Sequence, residues 1–208
     1  MKTSYIIALC MALICWSCKS PKQEQLPFYN TPDFTAVWQS EEVSHKLAPF
    51  QFQNQDNKSI NEKDLLGKIH VANFFFTICP SLCPRLMESM QKVSQAFPND
   101  SIVRIMSYSV MPNRDSVSVL KNYAITHKIN TPKWNLLTGD KKAIYQLARK
   151  SYFADENLGV QKQENDFLHT ENFILVDKQL RIRGIYNGTI PLDIEHLIED
   201  IKVLKGEE

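Results

Sequence analysis

The sequence predicts an α/β domain in which one mixed β-sheet is covered by helices on both faces. The segment 69–77, IHVANFFFT, is an almost unbroken run of apolar, β-favouring residues, which is typical of a central strand buried on both sides. It is followed by the segment 82–97, where apolar residues from Leu86 to Phe97 recur at helical spacing. Further strands and helices, a hairpin and a final helix follow in an order that fits a mixed sheet between helices.

The other elements are predicted in chain order. Short apolar pieces over 38–52 indicate a small N-terminal β extension, and 61–66 a helical turn closed by Gly67. Later segments predict strands at 102–110 and 134–137, helices at 115–127 and 140–150, a late β-hairpin of 172–176 and 181–186, and a final helix from Pro191 to about Leu204.

Composition and charge narrow the classes of function. Of the 208 residues, 43% are hydrophobic and 23% are charged, which are ordinary values for a globular domain. The formal net charge is +1, whereas a surface that binds nucleic acid normally carries a basic excess. We therefore expect no nucleic-acid partner.

The N-terminus carries the pattern of an export signal. Tyr5 to Trp16 is an apolar run of about 12 residues, close to the core of a signal peptide and too short to span a bilayer comfortably. It ends in Ser17-Cys18, and a small residue before a cysteine at this place resembles a bacterial lipoprotein box. The resemblance implies cleavage before Cys18 and lipid attachment to Cys18. An uncleaved anchor and ordinary secretion are the alternatives.

These features predict three regions. Residues 1–17 form a lipoprotein signal peptide, residues 18–37 hold the lipidated cysteine and a polar, flexible tether, and residues 38–208 form the folded domain. The protein is then expected in the bacterial cell envelope, lipid-anchored to a membrane and facing the periplasm or extracytoplasmic space.

Cys79 and Cys83 are the only free thiols expected in the processed chain, too few for a disulfide scaffold. They lie in a C-x-x-x-C-P element at a strand-to-helix junction, where exposed backbone N–H groups and the helix dipole favour a thiolate at Cys83. Three interpretations compete: a structural disulfide, a redox-active dithiol, or a soft-metal site. A disulfide here closes only a tiny loop and contributes little stability, while paired thiolates favour Cu(I).

A cysteine pair after the first central strand is the thioredoxin-like arrangement, but two features differ from a thioredoxin. Three residues separate the cysteines here, whereas a thioredoxin has two. No proline occurs between Pro132 and Pro191, so the loop before the hairpin lacks the usual cis-proline; it carries His169 instead. Two sulfurs and one imidazole suit Cu(I), and with a further ligand they suit Cu(II).

The chain resembles the SCO/SenC family of copper-binding, thioredoxin-like assembly factors for cytochrome c oxidase, over about residues 45–204. The matching pieces are Gly67-Lys68, the run 74–77 leading into C-x-x-x-C-P, Ser109-Val110 with Pro112, Arg114 and Asp115, the segment 136–140, and His169 before the hairpin. The resemblance implies copper bound by Cys79, Cys83 and His169. Many relatives have Asp where this chain has Met111 and Leu168, and Asp166 is the nearest acid to His169 for a supporting role.

The predicted function is that of a membrane-tethered copper chaperone rather than an enzyme. The resemblance implies delivery to the dinuclear copper centre of oxidase subunit II; another copper-requiring exported protein is the other partner considered. An upstream thiol reductant is expected, because metal binding needs free thiolates in an oxidising compartment. A thiol–disulfide oxidoreductase acting through a redox-active Cys79–Cys83 disulfide is the alternative, and a redox or copper sensor a weaker third.

Overall fold

A seven-stranded mixed sheet forms the centre of the fold. The computed structural model describes residues 25–79, 82–129, 132–154, 167–168 and 170–207. The strands are β1 (Phe28–Tyr29), β2 (Ala36–Val37), β3 (Gln51–Asn54), β4 (Ser59–Asn61), β5 (Ile69–Phe75), β6 (Val103–Ser109), β7 (Trp134–Thr138), β8 (Asn172–Val176) and β9 (Ile182–Asn187). The α-helices are α1 (Leu82–Ala96), α2 (Val117–Thr126), α3 (Lys141–Gln146) and α4 (Pro191–Gly206).

The strand order places the cysteine motif at one edge of the sheet. The order is β4-β3-β7-β6-β5-β8-β9, with β5, β6 and β7 parallel and the other pairings antiparallel. The central strand β5 therefore ends at the same edge as β6 and β7. The Cys79 loop follows β5, and the turn that leads to Asp115 follows β6.

Each face of the sheet has its own hydrophobic core, as the alternation of side chains along a strand requires. On one face, Val71 and Phe75 pack with α1, α2 and α4. On the other, Ala72 and Phe74 pack with α3, the residues after it and the segment around Phe52. Met87 and Met90 are buried in the first core, as predicted. The predicted α/β, thioredoxin-like fold with helices on both faces is confirmed.

Most element boundaries agree with the prediction within two residues. Two predictions differ. Of the β extension predicted over 38–52, only residues 51 and 52 lie in a strand, β3, and its partner β4 was not predicted. The predicted helix at 140–150 ends in the structure at Gln146 and continues as a wider π turn over Leu147–Ser151. This turn brings Tyr152 into the second core, where its hydroxyl lies 3.1 Å from Nε2 of the buried His70. None of the described helices combines the length and apolar character needed to cross a membrane.

The prediction of a flexible tether is wrong for residues 25–37. Leu26 and Phe28 are buried, and the β1–β2 ribbon lies beside β9. The cause is Arg183 on β9, whose side chain is only 1% exposed. Its guanidinium donates to the carbonyls of Leu26 (2.7 Å) and Pro27 (3.0 Å) and forms an ion pair with Glu207. The folded part of the chain therefore begins before residue 38.

Candidate metal centre

The two cysteines lie at the start of α1, one in the loop and one in the helix. A tight turn follows β5, in which the Cys79 N–H lies 3.4 Å from the Phe76 carbonyl oxygen. Cys83 is in the first turn of α1, and its backbone N–H donates to the Cys79 sulfur at 3.2 Å. Neither cysteine is part of a disulfide; Cys83 is buried and Cys79 half-buried. The sulfur of Cys79 is thus folded back over the helix start.

A buried carboxylate holds the loop that carries Cys79. Asp115 is fully buried and accepts hydrogen bonds from the Thr77 N–H (3.2 Å), the Thr77 hydroxyl (2.5 Å) and the Ser109 hydroxyl (2.5 Å). Asp115 reaches this place through a turn in which its own N–H donates to the Met111 carbonyl. The end of β6 therefore fixes the loop two residues before Cys79.

Burial dominates the protonation of Cys83. Desolvation raises the pKa of Cys83 to about 12, and a hydrogen bond with the Cys79 side chain and the negative charge of Asp115 act in the same direction. The expectation that the helix start makes Cys83 a thiolate is therefore wrong for the metal-free protein. Its thiol proton must leave when a metal binds, so binding is coupled to proton release.

Tyr123 is a neighbour of the cysteines that the sequence did not single out. Its ring packs against Phe75 with centroids 5.6 Å apart. Burial raises the pKa of Tyr123, and the acidic groups of Cys83, Asp115 and Cys79 raise it further when they are ionised. On α2 this tyrosine fits an ordinary amphipathic pattern, so no sequence signal indicated that it lies beside the site.

The third predicted ligand, His169, lies outside the described residues, as do Asp166 and Cys18. The structure does describe the two residues next to His169: Leu168 is buried in the second core, and Thr170 is also buried. The ring of Phe167 contacts Phe76 edge-to-face at 5.6 Å. The loop before the hairpin thus touches the loop that leads to Cys79.

The other four histidines do not approach the cysteines as a ligand group. Where the structure describes the chain, no three His, Cys, Asp or Glu side chains cluster as a metal site would require. His70 is buried in its strand, and His45 donates from Nε2 to the Ser151 carbonyl at 2.7 Å. His127 packs against the Tyr123 ring at a tilt, and His196 is exposed. The described part of the candidate centre is therefore the cysteine pair.

The cysteine pair suits a soft metal ion. Two sulfurs at the mouth of a strand-to-helix loop are the donors that Cu(I) prefers. The Cys83 N–H already points at the Cys79 sulfur and stabilises negative charge there. A pair that is partly covered and backed by apolar side chains also limits access of water to a bound ion.

Comparison with known proteins points to one family. The sequence model of the SCO1/SenC family matches residues 39–205. A solved structure of BsSco, described as a member of the Sco family of cytochrome c oxidase assembly proteins with a disulfide switch, is 31% identical with a TM-score of 0.66 and covers 79% of this chain and 95% of its own.

Two further structures have the same fold. A SCO1/SenC family lipoprotein from Bacillus anthracis is 32% identical, with a TM-score of 0.66 over 78% of this chain and 96% of its own. ScoI from Bradyrhizobium japonicum with copper bound is 27% identical, with a TM-score of 0.61 over 77% of this chain and 99% of its own. The family model and these likenesses lead to one conclusion: the chain belongs to the SCO1/SenC family.

Proposed function

We propose that this protein is a membrane-tethered copper chaperone that holds copper through Cys79, Cys83 and His169 and passes it to cytochrome c oxidase subunit II during assembly. The observation that carries the proposal is the reduced Cys79–Cys83 pair at the start of α1, in which the Cys83 N–H donates to the Cys79 sulfur. It occurs in a fold whose relative ScoI is known with copper bound.

His169 completes the proposed ligand set. Phe167 is two residues before His169, and Phe76 is three residues before Cys79, so their ring contact ties the two loops together. Two thiolates and one imidazole leave a Cu(I) ion with few ligands, and an incoming sulfur or nitrogen of the client replaces them one at a time. Copper is the cargo in this scheme, and transfer is ligand exchange.

The membrane tether is part of the proposal. Cys18 carries the lipid, residues 1–17 are removed, and the tether is confined to residues 19–24, because the chain from Leu26 onward packs on the domain. The relative from Bacillus anthracis is described as a lipoprotein, which supports this arrangement. Intact-mass measurement of the membrane fraction tests it: an unmodified Cys18 with Met1 still present would show an uncleaved anchor instead.

A second candidate function is thiol–disulfide exchange. It is favoured by the same two cysteines, because one hydrogen bond already joins the two residues. In this reaction Cys79 and Cys83 give two electrons and two protons to a client disulfide, which becomes two thiols, while a new Cys79–Cys83 disulfide forms. An upstream thiol reductant then restores the pair.

Copper titration of the reduced protein separates the two candidates. The chaperone proposal expects one copper per chain and loss of tight binding in Cys79→Ser and in Cys83→Ser, with Met87→Leu as a control in the same core. His169→Ala should weaken copper binding strongly while the Cys79–Cys83 disulfide still forms. If His169→Ala keeps its copper affinity and loses dithiol reactivity, the oxidoreductase function replaces the proposal.

A further inference from the structure

The end of the domain opposite the cysteines is a basic surface centred on one exposed leucine. We call it the basal surface and define it by Lys46, Lys63, Leu66, Lys68 and Lys178. Leu66 is 55% exposed, and it precedes Gly67, whose φ of +72° is the left-handed conformation that glycine adopts readily. A large apolar side chain thus projects from a tight turn among lysines.

Hydrogen bonds make the basal surface one continuous structure. The Gly67 N–H donates to the Lys178 carbonyl at 2.9 Å, and the Leu47 N–H donates to the Leu180 carbonyl at 2.9 Å. The Lys68 ammonium donates to the Ser101 carbonyl at 3.0 Å. Leu66 is therefore held in a fixed position relative to the lysines.

The acids at this end are mostly engaged by partners. Asp100 pairs with Lys205, Asp177 with Arg181 and Arg183, and Glu207 with Arg183. Asp64 is exposed, and its carboxylate accepts from the Asn61 N–H. Glu62 is half-buried, and its carboxylate accepts from the Phe50 N–H at 3.1 Å. Lys46 and Lys63 are exposed and Lys68 and Lys178 are half-buried, so the basal surface carries an excess of positive charge.

The chain from the proposed lipid enters the fold at this same end. The Lys178 ammonium donates to the Glu207 carbonyl at 2.9 Å, Glu207 pairs with Arg183, and Arg183 binds the Leu26 carbonyl. Seven residues, 19–25, separate Cys18 from Leu26, and this length spans at most about 25–30 Å. A lipid on Cys18 therefore keeps the basal surface close to the bilayer.

We propose that the basal surface docks on an anionic lipid bilayer, with Leu66 at the headgroup level, so that the Cys79–Cys83 end points away from the membrane. The inference rests on the proposed lipidation of Cys18. Lysines near an anionic leaflet are attracted to it, and a short tether gives even a weak surface interaction a high effective concentration. Strand β5 runs from the basal surface to the cysteine loop and sets their separation at roughly 20 Å or more.

Lysine reactivity on vesicles tests the docking. The full chain is reconstituted in phosphatidylcholine vesicles and in vesicles of equal parts phosphatidylcholine and phosphatidylglycerol, and acylation of each lysine is followed by mass spectrometry. Lys46, Lys63 and Lys178 should react about fivefold more slowly on the anionic vesicles, the equivalent of the roughly 1 kcal/mol that a lysine gains near such a leaflet. Lys141, at the start of α3 near the cysteine end, should react equally on both.

A paired variant and its control give a second readout. Lys63→Glu combined with Leu66→Asp should remove the protection of Lys178, whereas Lys141→Glu should leave it. High salt should also remove it, because the attraction is screened. Equal reactivity of all lysines on both vesicle types, or protection that survives the double variant, overturns the proposal.

The outcome for docking is separable from that for the proposed function. Copper titration of the double variant should match that of the unchanged protein, because the cysteines lie at the other end of β5. If intact mass shows Cys18 unmodified, the tether proposal fails; a chain that starts at residue 25, just before the buried Leu26, is then sedimented with the same vesicles. Docking requires that this chain sediments with the anionic vesicles and not with the phosphatidylcholine vesicles. If it does not sediment with the anionic vesicles, the inference is overturned.

Discussion

The backbone N–H of Cys83 donates a 3.2 Å hydrogen bond to the sulfur of Cys79. Any bond that the Cys79 sulfur forms, to a metal or to a second sulfur, therefore uses an atom that already accepts a hydrogen bond from the first turn of α1. Metal loading and oxidation use the same two atoms and compete for them.

Oxidation of Cys79 and Cys83 to a disulfide should release bound copper, because the metal needs both thiolates. The measurement is metal content after gel filtration, with the oxidised fraction determined by intact mass. Reduction of the same sample should restore the full copper load. Copper retained at full occupancy after complete oxidation would contradict the shared use of the two sulfurs.

Asp115→Ala should loosen the Cys79 loop, since it removes the acceptor for the Thr77 N–H, the Thr77 hydroxyl and the Ser109 hydroxyl. We expect a loss of about 2–4 kcal/mol in the free energy of unfolding and a weaker copper affinity. Ser109→Ala, which removes one of these bonds, should cost about 1 kcal/mol. Urea unfolding measures the free energy of unfolding, and copper titration measures the copper affinity. If the Asp115→Ala protein were as stable as the Ser109→Ala protein, Asp115 would not hold the Cys79 loop.

His70 should make the protein less stable in acid. Its side chain is fully buried, and desolvation lowers its pKa to about 3, well below the value near 6.5 expected in the unfolded chain. Because the pKa of His70 is lower in the folded state than in the unfolded chain, burying the neutral ring contributes fully to the free energy of unfolding above pH 6.5. This contribution is lost as the pH falls from 6.5 towards 3, at about 1.4 kcal/mol per pH unit.

The comparison of His70→Gln with the exposed His196→Gln isolates this effect. The free energy of unfolding of His70→Gln should fall less steeply with pH over this window than that of the unchanged protein. His196→Gln should follow the unchanged protein. Parallel curves for all three proteins would show that His70 does not titrate on unfolding.

A chain that starts at residue 38 should be less stable than one that starts at residue 25. The shorter chain loses the buried side chains of Leu26 and Phe28 and leaves Arg183 without two of its carbonyl acceptors. The expected loss is roughly 3 kcal/mol or more, since each buried apolar side chain contributes about 1.5–3 kcal/mol. Equal urea midpoints for the two chains would mean that the N-terminal segment adds nothing to the fold.

The parts of the fold that the sequence predicted correctly depend on local patterns. The apolar run of β5 and the spacing on α1 need no distant partner to be recognised, and the C-x-x-x-C element lies between them. The packing of Leu26 was missed because it depends on Arg183 and Glu207, which are more than 150 residues away. The role of Asp115 was missed for the same reason, since Thr77 and Ser109 approach it only when β5 and β6 pair.

The assignments of His169, Asp166 and Cys18 remain predictions. Residues 168 and 170 on either side of His169 are buried, and Phe167 reaches Phe76. Sequence motifs identified the two sulfurs, while the neighbours of those sulfurs, Tyr123 among them, became visible only when α2 was placed against the sheet.

The binding of two successive carbonyls by Arg183 has a mechanical consequence. If Cys18 carries the proposed lipid, the domain is held by its N-terminal segment and is pulled whenever the bilayer undulates. The pull enters through Leu26 and Pro27, whose carbonyls share one guanidinium that is itself fixed by Glu207. The load is divided between the edge strand β9 and the closing helix α4, so tension reaches the body of the domain before it can peel away the β1–β2 ribbon.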